Sequence, residues 1–287
     1  LDWLSAAESL RDVEGEVVTV DRSAQALTLG ERLWNAYQAL APRPGLRLVT
    51  VKGDVNGWGA GRFPTSVGEG SYDVIVLGNV VNELFPGAND PIKRRLHLLR
   101  DLLGLLDRQG TMMILEPALR DTSRDLLRLR DQLVADGVCN VYSPCLHEHP
   151  CPALVKAEDW CHEERPWEPP PVVAAIDQRV GFIKDALKFS YLLLRKDGQT
   201  IVPRSPDVYR VVSELRVMKG EKRAWLCNEM GRPEVGRQDR LKSGSNAPVD
   251  DWHRGAIVRI DQIVRKNQAG GLGRIPVEAT VQIVRPV

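Results

Sequence analysis

Long apolar runs are missing from this chain of 287 residues. None approaches the roughly 20 residues that a helix needs to cross a bilayer, so no membrane partner is expected. No secretory signal is visible. Cysteine is scarce and odd in number, five in all, which argues against a disulfide framework and for a reducing, cytoplasmic setting. The paired C-x2-C knuckles of common zinc modules are absent. So is the C-x3-C-x2-C run of the usual radical enzymes, which speaks against a radical or redox enzyme that uses a cluster directly. No internal repeat occurs.

Net charge is close to absent as well, at +1. That balance hides an asymmetry. Residues 181–287 carry 20 Lys+Arg against 12 Asp+Glu, and residues 1–180 carry 19 against 26. A basic C-terminal region fits a polyanionic partner such as RNA; it also fits an ordinary solvated surface. Hydrophobic content of 43% and charged content of 27% are those of a soluble chain, long enough for more than one domain.

What is present alternates between strand-like and helix-like segments. Glu16–Asp21 is β-branched and ends in an acid, and Ser23 stands where an N-cap belongs before a helix over Ala24–Leu40. Leu46–Val51 reads as a strand closed by Gly53-Asp54, and Tyr72–Gly78 as a buried strand. Pro91–Leu106 reads as a helix with Lys93, Arg94, Arg95 and Arg100 outward. Gly110–Glu116 is another buried strand, and Asp121 or Thr122 should cap a helix that Gly137 stops. Such alternation predicts a parallel sheet covered by helices. Val172–Leu187 reads as helical and Phe189–Arg195 as a strand. After Pro203 short strand candidates take over: Val208–Val212, Arg223–Cys227, Ala256–Ile260 and Val277–Val284. They predict a small β module, in the manner of a barrel. Lys242–Pro248 reads as a mobile loop.

Polar residues stand at the expected strand ends. Asp21 could accept the hydroxyls of a ribose, and Asp54 could lie near an adenine edge. Asn79 and Asn82 follow the central strand, at the crevice. Read singly, each is a turn or cap residue. In this order they resemble the later landmarks of an S-adenosylmethionine-dependent methyltransferase. The glycine-rich turn that opens such sheets does not occur before Asp21. Leu1–Leu10 reads as the helix that follows it, so the turn is expected upstream of Leu1.

The cysteines carry the strongest signal. Cys145, Cys151 and Cys161 lie in a proline-broken segment with spacing Cys-x5-Cys-x9-Cys, and Cys227 follows 65 intervening residues later. Thiols on such a loop serve a metal, a cluster or a disulfide. A cubane iron–sulfur cluster needs thiolates around a wider volume than zinc does, and wide loops with one remote ligand suit it. Zinc stays open because His147, His149 and His162 are near, although each also reads as an exposed loop residue. A Cys145–Cys151 disulfide is a further alternative. Cys139 reads as a small buried side chain.

Leu-Glu-Pro at 115–117, Ser-Pro-Cys at 143–145, His-Glu-His-Pro-Cys-Pro at 147–152, Asp-Trp-Cys-His at 159–162 and Lys-Phe-Ser-Tyr at 188–191 resemble the methyltransferase-like assembly factors of the small ribosomal subunit. These form a mitochondrial small-subunit ribosomal protein family with bacterial homologues. The resemblance covers nearly the whole chain. It implies an α/β fold: a class I S-adenosylmethionine methyltransferase-like, Rossmann-like sheet with an inserted Cys-rich metal loop and a small C-terminal β module. The corresponding boundaries are 1–142 for the α/β domain and 143–171 for the cluster-binding insertion. The final helix and strand take 172–203, and the basic β module 204–287.

The resemblance further implies a [4Fe–4S] cluster on Cys145, Cys151, Cys161 and Cys227, with zinc as the alternative metal and S-adenosylmethionine open as a second cofactor. Its ligands at the strand ends would be Asp21, Asp54, Asn79 and Asn82. The implied partner is the small ribosomal subunit through its rRNA. The implied compartment is the bacterial cytoplasm or the mitochondrial matrix. Lys219, Lys222, Arg223, Arg237, Arg240 and Lys242 would contact phosphate. An active rRNA methyltransferase is the alternative reading, but no Asn-Pro-Pro-Tyr motif and no cysteine pair for pyrimidine methylation occurs. Asn79-Val-Val-Asn82 stands in the motif's place. With Cys227 in a separate module, metal binding would also hold that module against the sheet.

Overall fold

The computed structural model describes residues 13–58, 63–64, 67, 71–182, 185–265 and 271–287. The expected helix over Leu1–Leu10 lies outside them. The chain divides into two compact units, Leu1–Ser71 and Tyr72–Val287, and the division falls inside the expected first domain.

The first unit is a β–α–β hand. Strands β1 (Gly15–Asp21) and β2 (Leu46–Lys52) pair in parallel, with Asp21 opposite Lys52. A parallel pair needs a crossover, and helix α1 (Ala24–Leu40) supplies it. Ser23 caps that helix as expected: its Oγ accepts from Ala26 N at 3.2 Å.

The second unit holds two sheets. In the first, β3 (Tyr72–Gly78) and β4 (Leu106–Pro117) run parallel, and β7 (Ala186–Arg195) enters antiparallel between β4 and β5 (Asn140–Ser143). A short β6 (Glu163–Pro166) also pairs with β7. Helices α2 (Pro91–Leu105) and α3 (Arg120–Ala135) bury Leu98, Leu99, Leu102, Leu103, Leu129 and Leu133. A fourth helix, α4 (Pro171–Val180), precedes β7.

The second sheet is built by β8 (Val208–Val211), β9 (Arg216–Met218), β10 (Glu221–Cys227), β11 (Glu234–Gln238), β12 (Ile257–Ile260), β13 (Val264–Arg265), β14 (Gly273–Arg274) and β15 (Val281–Arg285). Its order is β13-β14-β11-β10-β8-β12-β15, with β9 on β10. Tyr209, Val211, Leu226, Val235, Trp252 and Val258 form its core.

Several expectations are corrected. Among the described residues β3 ends its sheet path, and Val74 and Val76 stay 44% and 60% exposed rather than buried. Arg95 is buried, because it donates to the carbonyls of Leu84 and Asn82 and pairs with Asp125. Asp121 and Thr122 lie in the first turn of α3 and do not cap it; Thr122 Oγ1 donates to Pro117 O. Helix α4 stops at Val180, where Gly181 takes the left-handed φ of 69° that ends it. The last strand begins at Val281 rather than Val277. The β module is an open sheet path among the described residues. Lys242–Pro248 is packed rather than loose: Asn246 is buried and its amide donates to Leu241 O and Pro276 O.

Candidate metal centre

The segment after β5 has little regular structure of its own, a single 3-10 turn at Pro152–Leu154 before β6. Its shape is set by helix α3. Arg124 Nη1 donates to the carbonyls of Ala153 (3.0 Å), Lys156 (2.7 Å) and Asp159 (2.5 Å), and Nη2 donates to Leu154 (3.2 Å). One guanidinium thus gathers the backbone between Cys151 and Cys161. Asp131 Oδ2 accepts from Cys151 N at 2.9 Å. Arg130 donates to Asp131 (2.6 Å), to His149 O (2.5 Å) and to His147 O. Five donors in a rigid fork make arginine apt for holding a loop by its carbonyls.

The segment is also fixed from the β module. Glu163 pairs with Arg210 of β8, both buried, and with Arg165 at 2.7 Å. Asp159 pairs with Arg232, and Glu148 with Arg204 at 2.9 Å. Arg254 Nη1 donates to His162 O and to Val212 O, and Arg165 Nη1 to Arg254 O. Leu146 packs with Val202, Val208 and Ile257.

These ties bring Cys145, Cys151, Cys161 and Cys227 onto one cavity of ≈ 40 Å³. It is also lined by His147, His162, Glu163, Tyr191, Arg210 and Arg232. Cys139 is buried away from it, as expected, and burial pushes its thiol up to about 12. Burial, then the neighbouring thiols Cys145 and Cys161, push Cys151 up. Burial and Cys145 push Cys161 up to about 11, against Arg232 and Arg210. Cys227 is raised by burial and by the other three thiols. Thiols clustered in this way are a donor set that a bound cation would ionise. All five cysteines are free thiols, so the Cys145–Cys151 disulfide does not form. Among the described residues, no group of three or more His, Cys, Asp or Glu side chains converges on a site for a metal ion.

His147 overturns its reading as an exposed loop residue: it is 3% exposed, and burial lowers its pKa to about 4. His162 is half-buried and lowered to about 4 for the same reason, while His149 is exposed. The arginines and Glu163 around the cavity were missed by sequence reasoning. The partners through which Arg130, Arg210 and Arg232 hold the segment lie 17, 47 and 73 residues away, beyond any local pattern.

The strand-end residues are more occupied than expected. In the first unit Asp21 and Asp54 follow the same end of the parallel pair. Asp21 Oδ1 accepts from Ser23 N, and Asp54 Oδ1 from Asn56 N. In the second unit Asn82 is spent on Glu116, which accepts from Val81 N (2.8 Å), Asn82 N (3.2 Å) and the Asn82 amide. Burial raises the Glu116 carboxyl, and those donors only partly offset it. Asn79 is exposed and held at φ 56°, a left-handed conformation that asparagine tolerates better than most residues.

Of the proposed phosphate contacts, Arg237 is buried and bonded to Asn246 O and Asp250. Lys222 and Lys242 pair with Asp250, and Arg223 with Glu221. Lys219 and Arg240 remain exposed without an ion pair among the described residues.

Fold and site together define an α/β protein with a four-thiol cavity packed against a β module. The chain belongs to the family described as mitochondrial small ribosomal subunit Rsm22, whose family model matches residues 3–242 and so includes all four cavity cysteines. No curated protein matches the chain.

Solved structures overlap it loosely. The plantazolicin methyltransferase BpumL, in complex with SAH, is 13% identical, with 68% of this chain and 70% of that chain covered, at a TM-score of 0.32. PKMT2 from Rickettsia typhi, in complex with AdoHcy, is 14% identical over 74% of this chain and 52% of that chain, at 0.28. The tetrameric p202 HIN2 is 9% identical over 27% and 38%, at 0.22. The chain thus spans only part of these proteins, and overlaps this slight carry no argument. Among the described residues no helix is long and apolar enough to cross a membrane.

Proposed function

We propose that the chain is an RNA-binding assembly or translation factor of the small ribosomal subunit, acting in the bacterial cytoplasm or the mitochondrial matrix. In this reading the α/β part is class I methyltransferase-like, and Cys145, Cys151, Cys161 and Cys227 hold a [4Fe–4S] cluster. The observation that carries it is the meeting of those four thiols on one cavity. A zinc ion binds thiolates at about 2.3 Å, which requires the sulfurs almost to touch. A cubane spreads its four ligands over a wider volume.

The surroundings suit a group that is negative once four thiolates bind it. Arg210 and Arg232 line the cavity, and Arg130 carries the loop beside it. When bound, the cluster supplies a covalent link between β10 and the 145–161 segment. Anaerobically reconstituted protein should be brown and hold about four irons per chain. Colourless protein with one zinc would overturn the cluster assignment.

RNA binding rests on the family and on the exposed cations of the β module. Lys219, Arg240, Arg265 and Arg285 are exposed and carry no ion pair among the described residues. Alanine at all four should abolish most of the salt-dependent binding to small-subunit rRNA; unchanged binding would refute this surface.

A second reading, an active S-adenosylmethionine-dependent rRNA methyltransferase, draws on Asp21 and Asp54 at one end of the β1–β2 pair. Calorimetry with S-adenosylmethionine decides it. Tight binding that Asp21→Ala removes, with methyl incorporation into rRNA, would favour it over the first.

A further inference from the structure

The four thiols do not exhaust the donors on the cavity. His147 lines it too, two residues after Cys145. Its Nδ1 stands 3.2 Å from the His149 carbonyl oxygen. A carbonyl only accepts, so Nδ1 carries the proton and Nε2 keeps its lone pair. That lone pair faces Cys227 Sγ at 3.6 Å. The ring is held in place, because Arg130 grips the carbonyls of both His147 and His149 and the two imidazoles stack 6.5 Å apart. An imidazole that donates one N–H to a backbone carbonyl and keeps its other nitrogen unprotonated has the tautomer of metal-bound histidines. Imidazole also takes the place of thiolate on iron in Rieske centres.

We propose that His147 is a reserve iron ligand, which takes over the coordination position of Cys227 when that thiolate leaves the cluster. The inference rests on the cluster reading given above. In such an exchange an Fe–Sγ bond would break and an Fe–Nε2 bond would form. The departing thiolate takes a proton from water, and no iron changes oxidation state. The consequence is positional. Cys227 is the one cavity thiol contributed by β10. With His147 in its place, the cluster is held by the 145–161 segment alone, and the β module is released from it without loss of iron.

The test uses the full chain, reconstituted anaerobically with ferrous iron and sulfide, as wild type, Cys227→Ala, His147→Ala and the double variant. Iron content and pulsed electron paramagnetic resonance of the reduced cluster are the readouts. Wild type and His147→Ala should hold iron with no directly bound nitrogen. Cys227→Ala should keep its cluster and gain a strong nitrogen coupling, which the double variant lacks. A Cys227→Ala cluster without nitrogen coupling, or loss of its iron, would overturn the proposal. Should alanine fail to fold, Cys227→Val fills the same strand position and is read by the same two outcomes. If the wild type itself takes up no iron, the cluster reading falls, and that failure is distinct from a wild type that loads and a variant that does not.

Discussion

Arg130 shows how much one side chain carries. Its side chain is fully buried, and it binds Asp131 and two carbonyls of the thiol segment. Burial opposes its charge, yet Cys145, Asp131 and Cys151 hold its pKa up. Replacement by Met would leave Asp131 and both carbonyls short of a donor. Breaking a buried charged pair costs about 3–5 kcal/mol, so Arg130→Met should lower the chemical-denaturation midpoint by that equivalent. Glu116 is a comparable case at the end of β4. Glu116→Ala strands the Val81 and Asn82 amides and should cost about 1–3 kcal/mol, and Asn79 should then leave its left-handed conformation, read by its amide shifts. The contacts of these two residues were not legible in the sequence. A run such as Leu-Glu-Pro shows that a carboxylate ends a strand, not which amides it will meet 35 residues upstream.

Elements were more legible than their partners. Helix α1 falls on Ala24–Leu40 and β3 on Tyr72–Gly78 as expected, because apolar spacing and capping are local signals. Strand order is not local. Nothing in Ala186–Arg195 announces that it will run antiparallel between β4 and β5. The β module was expected to depend on metal for its position. Its salt bridges to Glu148, Asp159 and Glu163 are ties that need no metal. Cys227→Ser should therefore leave it docked, and limited proteolysis should cut the 196–207 connection no faster than in wild type. Glu163→Ala leaves Arg210 buried without its carboxylate and should speed that cleavage. Within the module, burial would raise Asp250, but Lys222, Lys242 and Arg237 outweigh it and hold its carboxyl well below the usual range. A depressed carboxyl stabilises above its unfolded pKa of about 3.9 and loses that contribution as pH falls further. Acid melting of the module below pH ~4 should thus flatten in Asp250→Asn, followed by Trp252 fluorescence.

For the molecule as a whole, charge that looked destined for RNA is largely spent inside. The basic excess of 181–287 meets carboxylates of the thiol segment through Arg204, Arg210 and Arg232, and others close on Asp250 and Glu221. With Lys219, Arg240, Arg265 and Arg285 left over among the described residues of the module, their contribution to rRNA affinity should fall with log salt at a slope of about −3. A slope near −10 would mean that phosphate contacts lie elsewhere in the chain.

The spread of the cavity's ties along the chain has one more consequence. Glu163 waits 47 residues for Arg210, Asp159 waits 73 for Arg232, and His147 waits 80 for Cys227. Closing such loops costs entropy before any contact repays it. During synthesis the cavity therefore completes only after the chain has passed Arg232. A nascent chain stopped before Cys227 lacks the fourth thiol of the cavity and leaves Asp159 without Arg232.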